Sequence, residues 1–559
     1  MAKSKLLHIQ DLSVRFSTKT GETDAVNGVN IELYEGDCLG VVGESGSGKS
    51  VTSLSILNLI YPNPNAVTTG KVIRYSDESS TDLLQLDEQA LSDIRGNDIS
   101  MVFQEPMSSL NPVKRCGSQI EEVLEIHNIV PKDQRKSEVL ELIDSVELPE
   151  AERIYRSYPH ELSGGQLQRV NIAMALAGDP KIMICDEPTT ALDVTVQKKI
   201  IQLLRRIVIE KNIALIFVCH DLDLVNELCN KVVVMYKGDV VEQGMLPDTF
   251  RNPQSDYTQA LLACRPKPSY NEIQLPTVDK VTSGIYKEEK RPQVEIDRDQ
   301  IVLAVNDLTV NYRTNPLAIF QRKQYLKAVD NVSFKLYKGS VLGIVGESGS
   351  GKSTVAQCIC GVIPASEGQI IYDGRAIDGR VLSSDKNLRR QIQIIFQDPY
   401  GSLNPRMTIG QAILEPINYH KLRPGSAKER VLELLNEVGL DEEYYNRYPH
   451  QLSGGQRQRV CIARALSVEP QILICDESVS ALDVSVQSQI LNLLDSLRAK
   501  YQLSIIFISH DLSVIHYISD EVIVMKDGKI VERGVADQII TLPQEAYTQE
   551  LVNSIPEGV

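Results

Sequence analysis

The sequence has 559 residues, 42% of them hydrophobic and 24% charged, with a formal net charge of −16. That length is too great for one hydrophobic core, and the composition is that of globular protein rather than a disordered or fibrous chain. The acidic balance repels phosphate backbones, so no nucleic-acid partner is expected, and apolar runs such as IALIFV stop at about six residues where a bilayer-spanning helix needs roughly twenty.

The start, MAKSKLLHIQDLSV, shows no secretory pattern, so the chain is expected to stay in the cytosol. Its ten cysteines include no C-x-x-C pair and read as reduced, buried thiols.

In chain order, the alternating run LLHIQDLSVRF, ending at Phe16, suits antiparallel strands. CLGVVG then reads as a buried strand. It feeds the glycine-rich string Gly43, Glu44, Ser45, Gly46, Ser47, Gly48, Lys49 and Ser50. The stretch from Thr68 to Ser100 absorbs the ten residues by which the first half is longer here, as a surface insertion would, and Gln104 follows in VFQEPMSSLNP. Val139, Leu140, Leu142, Ile143 and Val146 fall at helical spacing and mark a helical subdomain inserted into an α/β core. Next come LSGGQ, with Ser163, Gly164, Gly165 and Gln166, and the buried-strand pattern IMICDE, ending on Asp186 and Glu187. ALDVTVQ and FVCHDL, which holds His220, complete the series.

The six strings then recur in the same order, so the chain is an internal duplication. The second set contains Gly346, Glu347, Ser348, Gly349, Ser350, Gly351, Lys352, Ser353 and the following Thr354. It continues with Gln397, then Ser453, Gly454, Gly455 and Gln456, then Asp476 and Glu477, then His510. The offset falls from 303 positions at the lysines to 293 at the glutamines and 290 at the histidines, so length differences lie between motifs. Residues 265–300 hold four prolines with seven basic and seven acidic residues and little periodicity, which reads as an exposed linker. The domains are then residues 1–264 and 301–559.

G-x-x-x-x-G-K-S between a buried strand and a helix is the P-loop pattern, whose backbone N–H groups turn inward around phosphate oxygens. Lys49 and Lys352 supply positive charge to the phosphates of ATP, and Ser50 and Ser353 supply hydroxyl ligands for Mg²⁺. Asp186 and Asp476 are candidate metal ligands at the carboxyl edge of a sheet. Glu187 and Glu477 are placed to deprotonate the attacking water. LSGGQ can bring backbone amides to a triphosphate from outside its own P-loop domain, while Ser163 and Ser453 also suit helix caps. His160 and His450 in YPH read as packing residues.

On these motifs the chain resembles the ATP-binding-cassette superfamily over nearly its whole length. The resemblance implies two P-loop NTPase domains, each with a mixed-sheet core, an antiparallel β subdomain and an inserted helical subdomain. It also implies a head-to-tail pairing in which each ATP lies between one P-loop and the other domain's LSGGQ. Gln104 and Gln397 then contact metal and water, His220 and His510 stabilise the leaving phosphate, and Phe16 and Tyr312 stack on adenine. FQEPMSSLNP, FQDPYGSLNP, YPHELSGGQ and ALDVSVQ resemble the oligopeptide and dipeptide importer ATPases, here as a fusion of two subunits. That branch implies two permease subunits, an extracytoplasmic solute-binding protein and a peripheral place on the cytoplasmic face of the inner membrane. Its relatives' iron–sulfur cluster is not expected, since Cys264 stands alone, and every catalytic residue type occurs in both halves. Tandem family members that act on ribosomes or nucleic acid are the alternative, but the former use a long, basic, helical linker and the latter interrupt their domains with zinc modules or long coiled coils.

Overall fold

Two sheets of unlike kind make up each half of the chain. The computed structural model describes residues 3–554 except 19–20, 61–62, 77–78, 191, 267–272, 293, 295, 315–323, 423–424 and 481. The first half contributes β1 (Lys5–Thr18), β2 (Gly21–Tyr34), β3 (Cys38–Val42), β4 (Ala66–Tyr75) and β5 (Ser80–Asp82). It continues with β6 (Ile99–Val102), β7 (Ile182–Asp186), β8 (Ala214–Val218), β9 (Lys231–Tyr236) and β10 (Asp239–Met245). An antiparallel sheet has the order β2-β1-β4-β5, and a mixed sheet has the order β10-β9-β3-β8-β7-β6, parallel except for its β10 edge.

The second half repeats this with β11 (Asp297–Thr314), β12 (Gln324–Lys338), β13 (Val341–Val345), β14 (Glu367–Tyr372) and β15 (Arg375–Ile377). Its remaining strands are β16 (Ile392–Ile395), β17 (Ile472–Asp476), β18 (Ser504–Ser509), β19 (Glu521–Lys526) and β20 (Lys529–Val535). The orders β12-β11-β14-β15 and β16-β17-β18-β13-β19-β20 match the first half strand for strand.

The parallel strands read as unbroken apolar runs because both faces are covered. Their two-residue period sorts the side chains into two cores. Leu39, Val41, Ile182, Ile184 and Ile216 pack beneath the antiparallel sheet, whereas Met183, Cys185, Leu215 and Phe217 pack against the helical side. The helices Cys116–Ile126, Arg135–Ser145 and Ala151–Arg156 form the inserted subdomain, with Val139, Leu142 and Ile143 facing inward as their spacing predicts. Nine of the ten cysteines are buried and all are free. Among the described residues no helix is long and apolar enough to cross a membrane.

Two expectations are corrected. The Thr68–Ser100 stretch holds most of β4, all of β5 and a helix, Glu88–Ile94, with Leu83 and Leu91 buried. β4 runs for ten residues where β14 has six, so part of the extra length extends a ladder, pairing Phe16 with Ala66. The segment after Arg265 is likewise no exposed tether. Leu275 joins the core of the second half and Val278 that of the first. Asn492 clasps the Leu275 backbone, accepting from its N–H at 3.0 Å and donating to its C=O at 2.8 Å. Arg291 donates two hydrogen bonds to Asp495, at 2.7 and 2.8 Å, and lies over the Tyr517 ring. β11 begins at Asp297, within the stretch read as linker.

Candidate functional site

Each mixed sheet ends β3 or β13 in a loop whose backbone admits only glycine at key points. Gly43 and Gly48 take φ of 152° and 101°, and a Cβ on either would collide with the carbonyl of Met235 or Ala25. Gly346 and Gly351 repeat this at 154° and 100° against Met525 and Ala328. Inside the loop the buried Lys49 ammonium donates to the carbonyls of Gly43 at 2.8 Å and Glu44 at 2.9 Å. Lys352 donates to Gly346 at 2.6 Å and Glu347 at 2.8 Å. Burial lowers the Lys352 pKa against the pull of Glu477 and Asp476, and burial raises that of Glu44. Ser47 Oγ is buried with no hydrogen-bond partner, a polar atom aimed at nothing in the protein.

The acidic pairs leave β7 and β17 with a sharp change of backbone: Glu187 has φ 46° and Glu477 φ 48°, a costly left-handed turn for a non-glycine residue. Asp186 accepts from Ser50 Oγ at 3.0 Å, and Asp476 from Ser353 Oγ at 2.9 Å. The Glu187 Oε2 atom gathers Gln104 Nε2 at 2.9 Å, Thr190 Oγ1 at 3.0 Å and His220 Nδ1 at 3.3 Å. Glu477 Oε2 takes Gln397 Nε2 at 2.7 Å, with His510 Nδ1 at 3.7 Å. Its position corresponding to Thr190 is Ser480, whose hydroxyl bonds the Glu477 backbone instead.

Electrostatics separate the two acids of each pair. Burial pushes Asp186 up to about 6, and the neighbouring Glu187 charge adds to the rise. Burial acts on Glu187 in the same direction, but the hydrogen bond and charge of His220 outweigh it and hold the carboxyl at about 2. Asp476 is raised and Glu477 lowered for the same reasons. In each pair burial thus works against the charge of the aspartate, while the neighbouring histidine favours the charge of the glutamate.

LSGGQ starts a helix in each half. Ser163 caps Gly164–Leu176 and Ser453 caps Gly454–Leu466, each in a reciprocal box with Gln166 or Gln456. Both serines are exposed, and no hydrogen bond joins them to a P-loop among the described residues. Phe16 packs half-buried on the first core, whereas Tyr312 is 38% exposed. His160 and His450 stack on Tyr158 and Tyr448 at the surface.

The two halves meet at these sites. Asp483, from the second half's ALDVSVQ string, accepts from the Ser45 N–H of the first P-loop at 2.6 Å. Its counterpart Asp193 instead caps its own helix, accepting from Val196 N at 2.9 Å. Asp483 has given up that cap for the cross-contact. His220 and His510 both line one cavity between the halves.

Sequence reasoning named the ALD strings without giving Asp483 a role, although their repetition was a signal. It also missed Tyr257 and Tyr547, whose hydroxyls accept from the P-loop N–H groups of Glu44 and Glu347 at 3.1 Å. Their repeated Y-T-Q context was visible but not tied to the P-loop.

A family model described as "ABC transporter" matches residues 26–190 and 329–480, and one described as "Oligopeptide/dipeptide transporter, C-terminal region" matches residues 531–558. The chain is 41% identical over 563 aligned residues to the glutathione import ATP-binding protein GsiA of Pectobacterium atrosepticum, covering 100% of this chain and 90% of that protein. It is 41% identical to the protein of the same name from Escherichia coli, covering 99% and 89%. A solved structure of CbiO1 from Clostridium perfringens, part of the ABC transporter complex CbiONQ, covers 44% of this chain and 92% of its own at 29% identity and a TM-score of 0.38.

Proposed function

The chain belongs to the ABC transporter family, and from that membership we propose that it is the ATP-hydrolysing motor subunit of an importer for peptides or similar small solutes. The observation that carries the importer reading is the full-length similarity to importer ATP-binding proteins, joined to the peptide-transporter match at residues 531–558. Two permease subunits, an extracytoplasmic binding protein and a peripheral position on the cytoplasmic membrane face follow as its setting. The ribosome-acting alternative fits less well, since the full-length relatives named above are import proteins and residues 265–300 balance seven basic against seven acidic residues where that alternative uses a long basic linker.

In this reading residues 1–264 and 301–559 are the two motor domains, joined by 265–300, with the second domain's first strand reaching back to Asp297. Each P-loop cradles the ATP phosphates with its inward N–H groups, and Lys49 or Lys352 exchanges carbonyl contacts for phosphate oxygens. Ser47 Oγ, buried without a partner, is free to join them, whereas Ser350 Oγ accepts from Lys352 Nζ at 3.5 Å. Ser50 with Asp186, and Ser353 with Asp476, are two hard oxygen donors apiece, which suits Mg²⁺ completing its shell from phosphate and water. When bound, Mg²⁺ supplies charge neutralisation at the β- and γ-phosphates. Glu187 and Glu477 orient the attacking water and accept its proton. Gln104 and Gln397 hold those carboxylates in place, and His220 and His510 meet the charge developing on the γ-phosphate. Phe16 and Tyr312 supply adenine faces, and LSGGQ of each half closes on the nucleotide of the other.

Replacing Glu187 and Glu477 together by Gln tests this. ATP binding should persist while turnover falls by at least ~100-fold, because the cradle is intact and the base is gone. Undiminished hydrolysis places the base elsewhere.

A further inference from the structure

The helix Asp256–Ala263 touches the first P-loop at one end, where the Tyr257 hydroxyl meets Glu44 N–H at 3.1 Å. At its other end the chain turns through the buried Cys264 and delivers Arg265 into the cavity between the halves, about 140 Å³ in volume. That cavity is walled by His220 and Asp221 from the first half and His510 and Asp511 from the second. Arg265 is ion-paired with Oδ2 of Asp223, which is itself buried and whose Oδ1 atom has no hydrogen-bond partner.

Asp221 and Asp511 directly follow the two histidines and cap the helices Leu222–Leu228 and Leu512–Ile518. A cation withdrawn from water by burial, with three carboxylates around it, holds those loops close, since each acid loses more by moving away than it would in bulk solvent. Burial works against the Arg265 charge, while Asp221 and Asp511 favour it from opposite halves.

The arrangement exists in one copy. In the repeat, Asp223 is answered by Ser513 and Arg265 by Ile555, so both members of the ion pair occur in the first half and neither in the second. A duplication that differs at both ends of one contact has not merely drifted at one position.

We infer that Arg265 is a positioning residue that ties the switch loops of the two halves together, so that the state of one ATP site is felt at the other. This rests on the reading of two hydrolytic sites. It is tested by the ATP-concentration dependence of hydrolysis by the full chain and its variants Arg265→Lys, Arg265→Ile and Arg265→Ile with Asp223→Ser. The double variant removes the unpaired buried carboxylate that could unfold the single one.

The wild type and Arg265→Lys should show a Hill coefficient above 1, bounded at about 2 by the two sites. Both Ile variants should fall to 1, with nucleotide affinity, measured in the Glu187→Gln, Glu477→Gln background, unchanged within about twofold. A wild-type coefficient already at 1, an unchanged coefficient in the double variant, or failure of the double variant to fold overturns the inference. Continued hydrolysis by the Glu187→Gln, Glu477→Gln chain would instead overturn the assignment of the bases and leave the Hill comparison readable.

Discussion

Asp37 shows how a single buried charge is kept. At the turn between β2 and β3 it accepts from Lys231 Nζ at 2.6 Å, Lys3 Nζ at 2.8 Å and Tyr34 N–H at 3.1 Å. Burial alone would raise its carboxyl, but the hydrogen bonds from Lys231 and Lys3 prevail and hold it below its ordinary value. A depressed folded-state pKa gives stability that is present at neutral pH and lost as pH falls below about 4. Asp37→Asn should therefore cost roughly 2 kcal/mol at pH 7, less than a fully buried pair would because Lys3 is half exposed. The penalty should fade near pH 3, and an equal loss in thermal transition at both pH values refutes the ionic account. Asp37 carries no motif and could not be singled out in the sequence. Lys49, Glu187 and His220 could, because their chemistry fixes their spacing from glycine and apolar neighbours.

Among elements, helices and buried strands were legible from period alone, as the division of Ile184 and Cys185 between two cores shows. The segment around Leu275 and Arg291 was not. Its prolines and balanced charges look like a tether, while the residues that hold it, Asn492 and Asp495, lie more than 200 positions away. Arg291→Ala leaves the buried Asp495 carboxylate without its bidentate partner and should destabilise the second half by roughly 3 kcal/mol. Trypsin should then cut at Lys287 and Lys290 faster than in the wild type. Unaltered cleavage would show that Asn492 and Leu275 hold the segment unaided. The same distance hid Asp483, since its partner Ser45 is 438 positions away.

For the whole molecule, the pairing of the halves predicts damage that crosses between them. Ser453→Arg should raise the ATP concentration needed to half-fill the Lys49 site by at least ~10-fold, and Ser163→Arg that of the Lys352 site. Photolabelling each P-loop separately reads this out. Damage confined to the substituted half would refute head-to-tail closure. The serines are better probes than the neighbouring glycines, because a Cβ on Gly165 would lie 2.6 Å from Val196 within its own half and injure it directly. Loss of the serine cap costs only about 1 kcal/mol.

The strap that runs from Cys264 to β11 settles one further matter, because it is anchored at both ends. Two separate subunits must find one another at whatever copy number the cell maintains, and like may pair with like. Here each half meets its complement at a local concentration set by the join, so the pairing within one chain is favoured over pairing between chains at any ordinary dilution. Freed from having to match itself, each half can keep features the other lacks, as Pro188 against Ser478 and Asp223 against Ser513 already record.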